Sequence, residues 1–152
     1  MGRGATRHGR RAGLTKETLL PLSTEKVRSL SLENHMALAV VRTRSGDCDQ
    51  VISLLRVVYL SFFMRSETAS GSDLDLYRRA EAVLDACIAR AERGEAWILL
   101  EDELADVERL LVVHDEQLAA IPKHRYLAAW DRLQRFIRRT GRSPIPVAEE
   151  IA

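Results

Sequence analysis

Apolar residues recur at steps of three and four along most of the chain, which is the spacing of one face of an α-helix. In the clearest stretch, 104–121, apolar residues at heptad spacing are Leu104, Val107, Leu111, Leu118 and Ile121. The position that continues this series is a histidine, His114. The alternation of apolar and polar residues that is typical of strands is nearly absent. The pattern therefore predicts an all-helical protein with one histidine among its core positions.

Capping residues divide this pattern into five long helices, predicted over 32–44, 48–67, 73–93, 102–120 and 122–140. Ser31 and Asp47 are suitable N-caps, and Gln50 completes a capping box with Asp47. Pro122 is suited to the first position of the last helix. The second helix is apolar on nearly every side, so it should be the central one. We expect an all-α, single-domain bundle of about five helices with short connections.

The ends of the chain differ from the middle in composition. Residues 1–14 contain four arginines, several glycines and no acid, which predicts a disordered basic tail ahead of a helical bundle domain over 15–142. Residues 143–152, with prolines at alternate positions, should form an extended or disordered C-terminal tail. Within the domain, the segment 95–100 could be a short extended piece or a loop that plugs the core.

The composition of the chain, 46% hydrophobic and 30% charged, is typical of a soluble globular protein. The longest apolar run, 51–64, contains Arg56 and is shorter than the roughly 20 residues of a membrane span. Cys48 and Cys87 stand alone without a Cys-x-x-Cys motif, which disfavours a disulfide framework or a zinc site. No secretory signal is visible, so we expect a cytoplasmic protein with no membrane contact.

Motifs for catalysis, cofactors and metals are absent from the sequence. It has no Glu-x-x-His or His-x-x-x-His pair, no nucleophile elbow and no glycine-rich phosphate loop. The favoured interpretation of His114 is an interior histidine with a hydrogen-bond partner, although a metal or acid–base role stays open. We predict no catalytic residues, no metal, no cofactor and no enzymatic activity.

Charge is segregated along the chain, although its net charge is only +1. The acids of 101–117 are Glu101, Asp102, Glu103, Asp106, Glu108, Asp115 and Glu116, against one Arg109. Residues 123–142 carry seven basic side chains against one Asp131, and six of the seven share an arc of about 140° on a helix. These predicted nucleic-acid-binding residues are Arg125, Arg132, Arg135, Arg138, Arg139 and Arg142. Tyr126, Trp130, Leu133 and Ile137 are predicted to form the opposite, buried side.

Three interpretations of this basic face stay open. It could contact nucleic acid phosphates without sequence preference, together with the N-terminal tail. It could pair with the acidic helix, within the monomer, in a homo-oligomer or in a partner protein. It could also be a solvated face that contributes only weak ion pairs. We expect a small, non-enzymatic regulatory or accessory protein that binds nucleic acid, and the alternative is a protein-interaction or self-assembly module.

Two stretches resemble a group of short, uncharacterised, all-helical bacterial proteins that are sometimes labelled Fis-family transcriptional regulators. They read LSLENHMALAVVRTRSGDCDQ and VVHDEQLAAIPKHRYLAAWDRL, and the resemblance extends over about residues 20–140. It implies a helical, transcription-related protein. Fis-type proteins end in a helix-turn-helix, which usually has a small residue four positions before its turn glycine. No such residue precedes Gly46, Gly71, Gly94 or Gly141, so sequence-specific readout through that motif is not predicted.

Overall fold

A computed structural model describes residues 14–139 and 142–147. Within them, six α-helices follow one another: α1 Lys16–Leu19, α2 Thr24–Arg42, α3 Cys48–Phe63, α4 Leu74–Glu92, α5 Glu101–Ala120 and α6 Lys123–Arg139. Two short 3-10 turns, Arg65–Glu67 and Ser70–Ser72, connect α3 to α4. These residues form no strand, so the predicted all-α bundle is confirmed.

Helices α2, α3, α4 and α5 form the body of the bundle. Both α2 and α4 pack against α3 and α5, and α3 and α5 also contact each other. Helix α6 lies along α3 on the outside of this group, and α1 contacts α6. Helix α3 is therefore the central helix, as its apolar composition predicts, because it contacts four other helices.

The predicted capping box at the start of α3 is confirmed. The Asp47 carboxylate accepts a hydrogen bond from the main-chain N–H of Asp49 at 2.8 Å, and Gln50 Oε1 accepts from the main-chain N–H of Asp47 at 2.8 Å. Asp73 caps α4 by accepting from the N–H of Asp75 at 3.0 Å. Side-chain acceptors therefore satisfy N–H groups that a helix leaves unpaired at its first turn.

The prediction of a helix that begins after Ser31 is wrong. Helix α2 begins at Thr24, where the Ser23 hydroxyl accepts from the main-chain N–H of Lys26 at 3.2 Å, and Ser31 lies inside the helix. Val27 and Leu30 pack against a second apolar cluster, which contains residues of α3, α5 and α6. This contact makes the first turns of α2 part of the buried face, so the helix continues through them.

Helix α3 ends at Phe63, earlier than the predicted end at residue 67. The chain then tightens into 3-10 turns that bring Gly71 against Arg65. A Cβ at Gly71 would lie 2.7 Å from the Arg65 carbonyl oxygen and 2.9 Å from Gln117 Nε2. Only glycine fits this approach without a shift of the backbone.

The segment 95–100 is a loop that plugs the core, which is one of its two predicted forms. Leu99 is buried in the main apolar cluster. Two arginine contacts anchor the loop: Arg90 donates to the Ile98 carbonyl at 3.0 Å and to both carboxylate oxygens of Glu103 at 2.7 and 3.1 Å. The side chains of this ion pair are largely shielded from water, so removing either partner would leave a shielded charge.

The two predicted tails lie mostly outside the described residues. Of the tail over 1–14, the structure describes Leu14 alone, and of the tail over 143–152 it describes 143–147. In that last segment Ile145 is buried in the main apolar cluster, and the Pro146 carbonyl accepts from Arg78 Nε at 2.8 Å. Across the described part of the chain, none of the helices is apolar over a length that could span a membrane.

Candidate functional site

Helix α6 lies at the edge of the bundle with one face packed and one face exposed. Its buried residues Tyr126, Ala129 and Leu133 contact Leu60 and Met64 in the second apolar cluster. Aromatic and aliphatic side chains at steps of three and four fix this face against α3. The basic side chains that separate them therefore point away from the core.

The predicted buried stripe of α6 is wrong at its last member. Ile137 is 46% exposed. Phe136 packs inward instead, with its ring edge-on to Tyr59 at a centroid distance of 5.4 Å. A helix has 3.6 residues per turn, so the step after Leu133 can be three or four residues. The contact with α3 selects the step of three.

Three of the six predicted arginines surround one shallow hollow of about 320 Å³. They are Arg132, Arg135 and Arg139, and Phe63, Phe136 and Pro144 complete its walls. Positions 132, 135 and 139 lie within about 60° of one another on a helix. The Arg132 guanidinium also lies over the Phe63 ring, 4.7 Å from its centroid, which favours one orientation of this cation. Three arginine side chains of one helix therefore line the same place on the surface.

The remaining arginines of the predicted set lie apart from this hollow. Arg125, at the other end of α6, forms an ion pair with Glu67 at 3.3 Å. Arg138 and Arg142 are exposed, and Arg142 follows two residues that the structure does not describe. In the described part of the chain, no carboxylate lies within 4.0 Å of the guanidinium nitrogens of Arg138, Arg139 or Arg142.

One acid of α6 partly neutralises the hollow. Asp131 forms an exposed ion pair with Arg135 one turn away. An exposed pair of this kind contributes only about 0–1 kcal/mol. A phosphate that contacts Arg135 would therefore displace Asp131 at little cost.

The acidic helix α5 does not neutralise the arginines of α6 within the described residues. Its acids bind elsewhere: Asp115 contacts His35 Nε2 at 2.8 Å, Glu108 pairs with Arg42 at 3.6 Å, and Glu103 pairs with Arg90. These partners lie on α2 and α4, which flank α5. Pairing of α5 with α6 inside one monomer was one of the predicted alternatives. The ion pairs of the described residues do not join these two helices.

His114 is part of a closed hydrogen-bond network in the core. Its Nδ1 lies 3.3 Å from Gln117 Oε1, which also accepts from the Ser61 hydroxyl at 2.6 Å. Gln117 Nε2 donates to the Ser61 carbonyl at 3.1 Å and to the Tyr77 hydroxyl at 3.2 Å. The Tyr77 hydroxyl donates to the Gly71 carbonyl at 2.7 Å. The prediction of an interior, hydrogen-bonded histidine is confirmed.

Burial keeps His114 uncharged near neutral pH. The residue is 2% exposed, and this burial lowers its pKa to about 4, although the hydrogen bond with Gln117 and the charge of Asp115 act in the opposite direction. A neutral imidazole can accept or donate a hydrogen bond without carrying charge into the core. The described residues bring no three histidine, cysteine or carboxylate side chains together in a geometry that could hold a metal ion.

Sequence reasoning missed the partners of His114. Gln117 follows His114 by three residues and so shares its face of α5, which is a signal that the sequence contains. Ser61 and Tyr77 lie on α3 and α4, and nothing local to either residue indicates that it meets Gln117. The aromatic walls of the arginine hollow, Phe63 and Phe136, were missed for the same reason.

In comparisons with known proteins, no family model, no curated protein and no solved structure matches this chain. The resemblance to proteins labelled Fis-family regulators therefore stays a prediction.

Proposed function

We propose that this protein is a small, non-enzymatic regulatory or accessory factor of the cytoplasm, related to transcription, that contacts nucleic acid phosphates through the arginine face of α6. By arginine face we mean Arg125, Arg132, Arg135, Arg138, Arg139 and Arg142. One observation carries the proposal, namely that Arg132, Arg135 and Arg139 line one hollow on the surface. A hollow lined by three arginines is suited to a phosphate, because a guanidinium group offers fixed donors to its oxygens.

The placement of α6 supports contact with an extended polyanion. The helix is 17 residues long, and its arginines are distributed from Arg125 near its start to Arg139 at its end. At a rise of about 1.5 Å per residue, these two arginines are roughly 20 Å apart along the helix axis. Successive phosphates of one strand are several ångströms apart, so one strand can contact both ends of the face.

The proposed mode of binding is electrostatic and independent of sequence. Arginine can read guanine only from within the major groove, and no helix-turn-helix glycine is present to place this helix there. Contacts of these arginines with phosphates carry no sequence information. Each phosphate contact releases condensed counterions, so affinity should fall steeply as salt rises. The N-terminal arginines, which lie outside the described residues, are a second proposed contact.

A triple substitution tests which surface makes the contacts. Arg135→Ala, Arg138→Ala and Arg139→Ala together should lower the slope of log affinity against log salt by about 2 to 3, because each lost phosphate contact contributes about 0.9. Fluorescence anisotropy with labelled mixed-sequence duplex DNA and with RNA measures this slope. Affinity should fall about equally for every sequence tested.

A matched control removes the same charge from another part of the molecule. Arg79, Arg93 and Arg109 are exposed residues on or next to α4 and α5. Their triple alanine variant should keep the salt slope of the wild type. An equal loss of affinity in both variants would show that net charge alone determines binding. A loss of affinity for one DNA sequence only would indicate base readout. Either result contradicts the proposal.

A second proposed function is self-association through the acidic start of α5. Glu101 and Asp102 are exposed there, and no ion pair within the described residues neutralises them. They could meet Arg138 and Arg139 of another copy. Sedimentation without nucleic acid should then show a size that increases with protein concentration and returns to the monomer in high salt. A monomer at low salt and at all concentrations would exclude this function.

A further inference from the structure

A cavity of about 220 Å³ lies beside His114, between α2, α3, α5 and α6. His114, Leu60 and Tyr126 form its buried part, and Glu33 and Arg56, both exposed, line the part that opens to solvent. An apolar protein cavity of about 150 Å³ is large enough to bind benzene. This cavity therefore has room for a molecule with one ring and a small substituent.

The hydrogen bonds of Gln117 determine which nitrogen of His114 carries the proton. Gln117 Nε2 lies 3.1 Å from the main-chain oxygen of Ser61, which can only accept, so this atom must be the amide nitrogen. The amide oxygen then accepts from the Ser61 hydroxyl and from His114 Nδ1. Nδ1 is consequently protonated, and Nε2 presents a lone pair that can only accept.

The second ring nitrogen of His114 has no partner among the described residues. His114 Nδ1 contacts Gln117, and no hydrogen bond joins Nε2 to another protein group there. His114 is buried and is one of the residues that line the cavity. We infer that Nε2, a hydrogen-bond acceptor, faces the cavity from its buried part.

The other walls of the cavity suit an aromatic ring. Leu54 and Leu60 are buried aliphatic side chains, and Trp130 meets Tyr126 edge-to-face at a centroid distance of 6.4 Å. A ligand ring can pack against such rings with the same geometry. A carboxylate is disfavoured at the buried end of the cavity, because His114 Nε2 offers it a lone pair and no proton.

We propose that this cavity binds a small one-ring organic molecule whose hydroxyl or N–H group donates a hydrogen bond to His114 Nε2. The proposal is independent of nucleic acid binding, because it rests on the interior of the bundle and not on the arginine face. Specificity comes from the fixed tautomer of His114, since a site built around an acceptor selects for a donor.

Phenol and toluene test the proposal, because they have nearly the same shape and only phenol donates a hydrogen bond. In an NMR titration, phenol should shift the indole N–H signal of Trp130 in a saturable way and leave that of Trp97, which does not line the cavity, unchanged. Phenol should bind severalfold more tightly than toluene. Without the histidine contact the order should reverse, because burial then favours the less polar molecule.

Two variants separate the effect of the hydrogen bond to His114 from the effect of the cavity's shape. His114→Leu should reverse the preference to toluene, and Gln117 Oε1 would still accept from Ser61 in this variant. Ser53 lines the cavity at an exposed position, so Ser53→Phe should weaken the binding of both molecules by filling the cavity. This variant keeps the hydrogen-bond network. Stronger binding of toluene to the wild type, equal shifts of both indole signals, or no saturation by about 10 mM phenol, a concentration well above the Kd of a weak ligand, would overturn the proposal.

Discussion

The arginine face of α6 and the His114 network are polar regions of opposite kinds. On the arginine face, the side chains lie at the surface, and the ion pair of Arg135 with Asp131 is exposed on both sides. In the His114 network, Gln117 and Ser61 are fully buried, and their side chains form hydrogen bonds with other protein groups. The buried hydrogen bonds therefore stabilise the fold, whereas the surface arginines contribute little to it and are available for binding.

The largest effect should come from removing the centre of the inner network. Gln117→Leu leaves the Ser61 hydroxyl and His114 Nδ1 without their partner, and the Tyr77 hydroxyl keeps only its bond to the Gly71 carbonyl. We expect a loss of about 3–5 kcal/mol in the free energy of unfolding, since each buried unsatisfied group costs about 1–3 kcal/mol. Urea denaturation measures this loss, and Gln134→Leu, at an exposed position of α6, should change stability by less than about 0.5 kcal/mol. Equal effects of the two variants would contradict the difference between the regions.

The pH dependence of stability should show the second largest effect. Burial lowers the pKa of His114 from 6.5 to about 4, so the unfolded chain binds a proton on this residue more readily than the folded chain. Stability from this group is therefore present above about pH 6.5 and is lost as pH falls toward 4, by about 3 kcal/mol in total.

The His114→Leu variant isolates this contribution from that of the carboxylates. Denaturation curves of both proteins between pH 7 and 4 should show a shallower pH dependence for the variant. Parallel curves for wild type and variant would mean that His114 titrates alike in the folded and unfolded chain.

A smaller effect is expected at Gly71, which closes the inner network. Gly71→Ala would place a Cβ 2.7 Å from the Arg65 carbonyl oxygen and 2.9 Å from Gln117 Nε2, so the turn must shift. We expect a loss of about 2 kcal/mol in unfolding free energy, the scale of core overpacking. Ser72→Ala, at the exposed next position, serves as the control in the same thermal or urea measurement. If Gly71→Ala has the stability of the control, the close packing is not required.

The smallest effect on stability should come from the arginine face. The Arg135→Ala, Arg138→Ala and Arg139→Ala protein should unfold within about 0.5 kcal/mol of the wild type, since exposed ion pairs contribute little. A loss of more than about 2 kcal/mol in urea denaturation would show that these arginines serve the fold. Unchanged stability together with a reduced salt slope of binding would show that the arginine face serves binding and not the fold.

Local signals predicted most of the fold because they act over a few residues. The capping box of Asp47 and Gln50, the end of α4 before Gly94 and the heptad spacing of α5 are all visible in the sequence. The start of α2 was mispredicted because contacts with α3, α5 and α6 decide it, and Ser31 is as good a local cap as Ser23. The exposure of Ile137 has the same origin, since the packing of Phe136 on Tyr59 selects one of two helix steps.

The candidate sites divide in the same way. Helical spacing alone places Arg132, Arg135 and Arg139 on one face, so their shared position on the surface of α6 was predictable. The partners of His114 were not, because Ser61 and Tyr77 meet Gln117 only once α3, α4 and α5 have packed. Tertiary contacts between distant positions leave no periodic trace in one sequence.

Binding of the wild-type protein to mixed-sequence duplex DNA and to RNA at two salt concentrations tests the central claim most directly. Four to six phosphate contacts predict tight binding at about 50 mM salt and an affinity lower by roughly a hundredfold to a thousandfold at about 200 mM. Absence of binding at the lower salt, or binding that does not change with salt, would contradict the assignment of the arginine face to phosphates.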